Sequence, residues 1–354
     1  MSRYFTGTLA DLEPYTPGEQ PKIRNLIKLN TNENPYPPSP AVRAAVDGAI
    51  DDLRLYSDIT SAKLCAAIAK KYGVQPENVL CGNGSDENLM LAVRAFCDEN
   101  TPLAFADITY GFYKVWCDLF KIPKHILPLE EDFSIDLTKY YGLEETIVIA
   151  NPNAPTSLLQ PVAALEEVVR RNPGHVVIVD EAYIDFAGPG ASCVPLVARY
   201  DNLLVVQTFS KSRNLAGARL GFCIGSKGLI ADLNRIKFSM NPYNINAMSE
   251  AAGAAAMADD AYLAGTGAAI LETRRDTTAK LRAMGFTVLD SASNFLFAHT
   301  PAMAGGAVQE ALRAKNILVR RFDAPRIGDW LRITIGTPAQ MQALCDALAG
   351  ILNA

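Results

Sequence analysis

Lys211 follows the apolar run Leu203–Gln207 through Thr208-Phe209-Ser210. A lysine where a buried strand ends can be kept desolvated, and a desolvated amine is a nucleophile toward an aldehyde. The ordinary alternative is a solvated surface ammonium. Arg219 stands eight residues later, in Leu215-Ala216-Gly217-Ala218-Arg219-Leu220-Gly221. The two glycines allow close backbone approach, and a guanidinium grips phosphate with two parallel N–H groups. Asp180 follows a second apolar run, Val176–Val179, and opens Asp180-Glu181-Ala182-Tyr183. A carboxylate at the end of a buried strand needs a partner. It either caps the following turn or holds a cationic ring nitrogen.

Three further segments have the residue types for binding. Cys81-Gly82-Asn83-Gly84-Ser85-Asp86-Glu87 follows the strand-like Asn78–Leu80 and leads into a helix. Free N–H groups and the positive dipole end make such a start an anion cradle. It reads equally as a plain helix start whose Asp86 and Glu87 answer the dipole. A dinucleotide fingerprint is a poor match, because the third glycine is missing. Thr109-Tyr110-Gly111-Phe112-Tyr113 is either core packing or a stacking platform for a flat ring. Arg332, inside Trp330-Leu331-Arg332-Ile333-Thr334-Ile335-Gly336, is either half of a cross-strand ion pair or an anion clamp that closes over a ligand.

These residues need a frame. From about Pro40 to Gly225 helical stretches (Ala62–Tyr72, Glu87–Cys97, Val162–Arg171) alternate with short apolar runs (Leu103–Ala106, Thr146–Ala150, Val176–Val179, Leu203–Gln207, Leu220–Ile224). Continuous apolar strands imply burial on both faces, and hence an α/β fold with a mostly parallel sheet between helices. Ligands in such sheets sit beyond the carboxyl ends of the strands, where Asp180 and Lys211 fall. After Asn244 an Ala-rich helical region runs to about Met284. Strand-like Phe286–Leu289 and Asn294–His299, a helix at Ala307–Lys315, strands Ile317–Arg320 and Leu331–Ile335 and a helix from Pro338 then describe a smaller α+β domain. The expected division is an N-terminal arm, 1–39, packing on the small domain and on a partner; a large domain, 40–244; and a small domain, 245–354.

Bulk properties exclude several classes. The 354 residues suit two domains, and a net charge of −5 without a basic run disfavours nucleic acid and anionic membrane as partners. The first twenty residues lack the apolar core of a secretory signal, and no apolar run reaches membrane-spanning length. Seven scattered cysteines without a C-x-x-C pair argue for a reducing cytoplasm and against a zinc site. The three histidines, His125, His175 and His299, are not at metal-ligand spacing. No metal is expected.

The order of these motifs resembles the fold-type I pyridoxal-phosphate aminotransferases, and among them the histidinol-phosphate aminotransferases. The resemblance runs from Tyr15-Thr16-Pro17-Gly18 to Leu331-Arg332-Ile333-Thr334. It includes Leu29-Asn30-Thr31-Asn32-Glu33-Asn34-Pro35, Gly82–Glu87, Val179–Phe186, Thr208–Lys211 and Leu215–Gly221. It implies that Lys211 carries pyridoxal 5'-phosphate as a Schiff base and shuttles a proton. Asp180 would protonate the ring nitrogen, Tyr183 would reach the ring hydroxyl oxygen, and Tyr110 would stack on the ring. Gly84, Ser85, Asp86, Ser210 and Arg219 would hold the phosphate, joined by Tyr56 from the neighbouring subunit of a homodimer with shared sites. Arg332, Arg320, Tyr15 and Asn34 would bind the substrate and its anion. The implied reaction exchanges an amino group between L-histidinol phosphate and 2-oxoglutarate in histidine biosynthesis. An aromatic amino-acid aminotransferase or a threonine-phosphate decarboxylase of the same fold is the alternative. A non-catalytic regulator of this fold is disfavoured by the acidic charge.

One segment departs from the family. The usual Asn-Pro-Asn-Asn-Pro-Thr-Gly reads Asn151-Pro152-Asn153-Ala154-Pro155-Thr156-Ser157, with Ala154 where an amide contacts the ring hydroxyl. Either Asn153 replaces that amide or Tyr183 carries the contact alone. A smaller departure is Leu55-Tyr56-Ser57-Asp58, where Tyr-Pro-Asp is common.

Overall fold

The apolar runs of the first two-thirds of the chain meet in one seven-stranded sheet. A computed structural model describes residues 2–353. The strands are β1 (Ile27–Leu29), β2 (Val79–Gly82), β3 (Leu103–Ala106), β4 (Lys124–Leu127), β5 (Thr146–Ala150), β6 (Val177–Asp180), β7 (Leu203–Thr208) and β8 (Gly221–Gly225). All but β1 form the sheet, in the order β2-β8-β7-β6-β5-β3-β4. Every pairing is parallel except those of β8, which runs antiparallel to β2 and β7. Strands β2, β3, β5, β6, β7 and β8 are buried at every residue, as continuous apolar runs require.

Helices α1 (Pro40–Ala49), α2 (Ala62–Tyr72), α3 (Ser85–Phe96), α4 (Phe112–Phe120), α5 (Val162–Arg171) and α6 (Lys227–Met240) cover the two faces. One core layer joins Leu64, Ile68, Leu165 and Val168 to Ile147, Val179 and Val205. The other joins Leu89, Val93, Trp116 and Leu233 to Val148, Ile178 and Val206. Each fully buried aliphatic side chain contributes about 1.5–3 kcal/mol.

The Ala-rich region is two helices, α7 (Ala247–Ala258) and α8 (Asp260–Ala283), not one. Asp259 separates them: it ends α7, and its carboxylate caps α8 by accepting from the Tyr262 N–H at 3.2 Å. Helix α7 packs on α1 and α2, and Ala252, Ala256 and Met257 belong to the first core. Helix α7 thus shares the core of the large body.

The second sheet holds β9 (Thr287–Val288), β10 (Phe295–His299), β11 (Ile317–Arg321) and β12 (Leu331–Thr334). Its order is β1-β11-β12-β10-β9, so a strand from the N-terminal arm completes it. Strand β1 runs parallel to β11, pairing Ile27 with Ile317 and Leu29 with Val319. Helices α8, α9 (Gly305–Ala314) and α10 (Pro338–Leu352) supply Ile270, Leu281, Val308, Leu312 and Leu344 to a core with Leu296, Val319 and Ile333. Helix α10 begins with a reciprocal cap between Thr337 and Gln340, followed by Pro338 in the first turn.

Candidate active site

Strands β5, β6 and β7 run parallel with Ala150, Asp180 and Val206 in register. Their carboxyl ends face a cavity of about 490 Å³, closed on the far side by β11, β12 and the N-terminal arm. Ala150, Asp180, Thr208, Ser210 and Lys211 line it from the large body, and Tyr15, Arg320 and Arg332 from the other side.

The Lys211 amine donates to the Thr31 carbonyl at 3.2 Å, and its nitrogen lies 5.9 Å from the centre of the Tyr183 ring. Burial, and then the Arg332 charge, bring its pKa down to about 8. The amine is therefore far more often neutral near pH 7 than a surface lysine is. Asp180 is 5 % exposed. Its carboxylate accepts from the Tyr113 hydroxyl at 2.7 Å and from the Ala182 N–H at 3.2 Å. Burial pushes its pKa up to about 6 despite those bonds. Among the described residues it has no cationic partner, so a cation in the cavity beside it would be strongly favoured.

Helix α3 starts at the same end of the cavity. Gly84 precedes it in the left-handed region (φ +83°), and no side chain caps the first turn. The N–H groups of Ser85 and Asp86 are thus open to an anion. The space is tight: a Cβ on Gly221 would stand 2.2 Å from the Ser85 nitrogen, and one on Gly84 2.6 Å from Arg219. Arg219 reaches over this helix start and pairs with the Asp86 carboxylate at 2.9 Å. The Tyr110 hydroxyl donates to the other Asp86 oxygen at 2.7 Å. The Ser210 hydroxyl, 6 % exposed, accepts from Thr208 at 3.0 Å.

The third wall carries Tyr183 and Ala154. The Asn32 amide donates to the Tyr183 hydroxyl at 3.0 Å, which leaves the phenolic proton free to point into the cavity. Thr334 holds Asn32 in turn, donating its hydroxyl to the Asn32 amide oxygen at 3.1 Å. Asn153 does not line the cavity, so the expectation that it stands in for the missing amide is corrected. Its NH2 donates to the Ile108 carbonyl at 2.9 Å and to Thr156 at 3.1 Å, while its amide oxygen accepts from Thr109 at 2.8 Å. Those bonds consume the amide in holding the 151–158 loop.

Arg320 and Arg332 lie directly opposite each other on β11 and β12. Like charges at such a pair repel. Both guanidiniums lie over the Phe322 ring, at 5.2 and 5.4 Å, and neither has an ion-pair partner among the described residues. Arg320 donates to the carbonyls of Thr16 and Pro17 at 2.9 and 3.1 Å, and Arg332 to that of Asn30 at 3.0 Å. The Arg332 Nε is buried with no acceptor at all. Two uncompensated cations and an orphaned donor would favour an anion between them. Arg320 also steadies the arm that brings Tyr15 to the cavity, where Tyr15 stacks on Phe112 at 4.2 Å.

One further expectation comes out differently. Asn34 does not face the cavity; its amide donates to the Lys211 carbonyl at 3.0 Å and to Asn214 at 3.2 Å, so it holds the backbone of Lys211 from behind. It is a support, not a substrate contact. Tyr56 is 83 % exposed, stacks on Tyr243 at 4.5 Å and does not line the cavity of its own chain. Sequence reasoning missed the roles of Asn32 and Tyr113, although both lie in segments that had been singled out, and missed the cavity-lining Gln20 and Glu33.

The residues fit pyridoxal phosphate. There is an uncapped helix start with an arginine across it, a buried carboxylate without a cationic partner, a lysine held at low pKa and a free phenolic donor around one cavity. Comparison with known proteins agrees. Residues 24–348 match the model of the aminotransferase class I and II family. The chain belongs to that family and is a pyridoxal-phosphate-dependent aminotransferase.

Among its relatives, histidinol-phosphate aminotransferase 2 of Gluconobacter oxydans is 48% identical over 100% of this chain and 99% of its own length. Histidinol-phosphate aminotransferase 1 of Bordetella parapertussis is 49% identical over 100% of both. The solved histidinol-phosphate aminotransferase of Sinorhizobium meliloti, in complex with pyridoxal-5'-phosphate, has the same fold. It superposes with a TM-score of 0.91 over 100% of this chain and 98% of that one, at 24% identity.

Proposed function

We propose that the protein exchanges an amino group between L-histidinol phosphate and 2-oxoglutarate, a step of histidine biosynthesis. The observation that carries this reading is the in-register pair Arg320 and Arg332, two guanidiniums without a carboxylate partner on the wall that the small sheet gives to the cavity. Such a pair can take the phosphate of one substrate and the carboxylate of the other in turn. The full-length similarity to histidinol-phosphate aminotransferases supports the same reading.

Pyridoxal phosphate, when bound, supplies an aldehyde that links to a primary amine and a ring that takes up the electron pair released at the substrate carbon. In the proposed assignment Lys211 provides the amine and then carries the proton to and from the reacting carbon. A pKa near 8 suits both tasks. Asp180 holds the proton on the ring nitrogen, and the Tyr183 phenol donates to the ring hydroxyl oxygen. The first turn of α3, Ser210 and Arg219 hold the cofactor phosphate, and Tyr110 covers the ring. Arg332, Arg320 and Tyr15 orient the substrate anion.

We propose further that the working form is a cytoplasmic homodimer in which Tyr56 completes the phosphate site of the partner. Exposed Ile50, Leu53, Leu55, Ile59, Phe238 and Met240 flank Tyr56 and Tyr243 along the chain, exposed apolar side chains that a second copy would cover.

Turnover of glutamate with imidazole-acetol phosphate, compared with phenylpyruvate, tests the substrate reading. Preferred turnover of the phosphate substrate is expected. Efficient turnover of phenylpyruvate with none of the phosphate substrate would refute it.

A further inference from the structure

The segment between Arg320 and Arg332 does not end in solvent: it docks on the large body. Arg326, at its centre, donates to the Asp107 carboxylate at 3.3 Å, to the Leu129 carbonyl at 3.1 Å and to the Glu130 carbonyl. Asp107 follows directly on β3, and its other oxygen already accepts from the N–H groups of Ile108 and Leu129 at 2.8 and 2.9 Å. The receiving surface is thus fixed to the same sheet that positions Asp180.

A second contact lies beside the first. Phe133 projects from the large body and meets Trp330 edge-on at 5.1 Å and Phe297 at 6.0 Å, while the Arg326 guanidinium lies 5.5 Å from the Phe133 ring centre. Trp330 itself stacks on Phe297 at 4.9 Å. Both Arg326 and Phe133 hold a left-handed backbone, each at φ +67°. That conformation is costly for residues with a Cβ and persists where the surroundings impose it. Within the segment, Arg321 donates to the Gly328 carbonyl at 2.5 Å and to Asp323 at 3.0 Å, so it moves as one piece.

We propose that Arg326 is a positioning residue for the substrate anion. By clasping the 322–330 segment to the 107–133 surface it holds Arg320 and Arg332 over the cavity against their mutual repulsion. It touches no ligand; it acts through the two arginines, and the inference rests on reading them as the anion site. Other contacts, such as Asn32 on Tyr183 and Phe133 on Trp330, keep the bodies together without the clasp, but the 322–330 segment loses its polar anchor and the two guanidiniums their common aim at one anion. A displacement of about 1 Å in such a group can cost up to about 100-fold.

The test uses the cofactor-loaded protein, whose cofactor phosphate site is filled, with inorganic phosphate as the probe and tryptophan fluorescence as the signal. Arg326→Met is expected to weaken phosphate binding about tenfold or more, and to raise the KM for the phosphate-bearing substrate similarly, with kcat within about threefold. Arg326→Lys, which keeps the charge but loses the fork, is expected to fall between. The visible absorbance and its pH profile should stay as in the wild type, which a general loss of structure would not allow. In an Arg332→Met background, Arg326→Met should add little, because the residue it positions is gone.

Unchanged phosphate affinity in Arg326→Met overturns the inference. So does a parallel fall of kcat, cofactor absorbance and phosphate affinity. If Arg326→Met does not fold, Asp107→Asn, which removes the carboxylate charge, is read the same way. A wild type that binds phosphate in an Arg326-dependent manner but does not turn over the phosphate substrate sinks the substrate reading and leaves this one standing.

Discussion

The Asn32 amide donates to the Tyr183 hydroxyl at 3.0 Å across 151 residues of chain. With Ala154 on the same wall and Asn153 turned away, the phenol is the donor left on that wall for the ring hydroxyl oxygen in the proposed assignment. A donor there draws electron density from the lysine–cofactor linkage and eases loss of its proton. Tyr183→Phe should therefore raise the pH midpoint of the visible absorbance by about one unit, since a hydrogen bond to a charged group is worth about 1.5–3 kcal/mol. Asn32→Ala should move it the same way by less, and Ala154→Asn the opposite way. A spectrophotometric pH titration reads all three, and an Ala154→Asn protein titrating above the wild type would contradict the geometry.

The Lys211 pKa of about 8 makes loading pH-dependent. Only the neutral amine attacks an aldehyde, so the rate of cofactor uptake by the cofactor-free protein should rise about tenfold per pH unit below 8 and level off above. Stopped-flow absorbance measures it. Lys211→Ala should show no visible linkage band and lose turnover by about a thousandfold or more.

Asp180 gives a prediction of opposite sign in the empty and the loaded protein. Its folded pKa of about 6 lies above the ordinary 3.8, so the folded state binds more protons between those values, and stability falls as pH rises through that window. Cofactor-free Asp180→Asn should therefore melt higher than the wild type at pH 7.5, and the difference should vanish near pH 4. In the loaded protein the order should reverse, because the ring nitrogen then loses its counter-ion. Turnover of Asp180→Asn should drop by about two to four orders of magnitude. Thermal melts at both pH values, with and without cofactor, decide it.

Tyr56 is predicted to work only across an interface. Tyr56→Phe should weaken cofactor retention in every site. When the inactive Lys211→Ala and Tyr56→Ala chains are mixed and allowed to exchange, half of the dimers are hybrids with one intact site in two. About a quarter of the wild-type rate should return. A mixture as inactive as its parents, with subunit exchange verified, would place Tyr56 outside the partner's site.

Gly221 is tested by adding one methyl. Gly221→Ala places a Cβ 2.2 Å from the Ser85 nitrogen, so β8 and the start of α3 must part. Overpacking of this kind costs about 1–3 kcal/mol. Weaker cofactor phosphate binding should accompany it, read by equilibrium dialysis alongside thermal melting.

What could be read in advance follows from the range of the forces involved. Helices α2 and α5 carry their periodicity and boundaries locally, and their expected ends, Ala62–Tyr72 and Val162–Arg171, match the structure. That Asp180, Lys211 and Arg219 fall around one cavity was legible because strand ends and glycines mark them within a few residues. The division of the Ala-rich region was not, since alanine favours helix on both sides and only the Asp259 cap breaks it. The Asn153 amide was misplaced because its partners, Ile108 and Thr109, lie more than forty residues away. The same distance concealed the bond from Asn32 to Tyr183 and the docking of Arg326 on Asp107. None of these has a spacing signature; they exist only once two separate elements have met.

The sheet that carries both Arg320 and Arg332 takes β1 from before the large body and β9 to β12 from after it. On the ribosome, strands β2 to β8 are all available before β11 emerges, so the half of the site that grips the cofactor can be assembled first. The half that carries Arg320 and Arg332 waits for β11 and β12, and the arm bearing Tyr15 must stay undocked until then. A nascent or truncated chain could thus hold cofactor without being able to select a substrate. Moving the arm behind the C-terminus, by circular permutation in its link to α1, would spare the arm that wait without bringing this half of the site forward, since β11 and β12 would still follow β2 to β8.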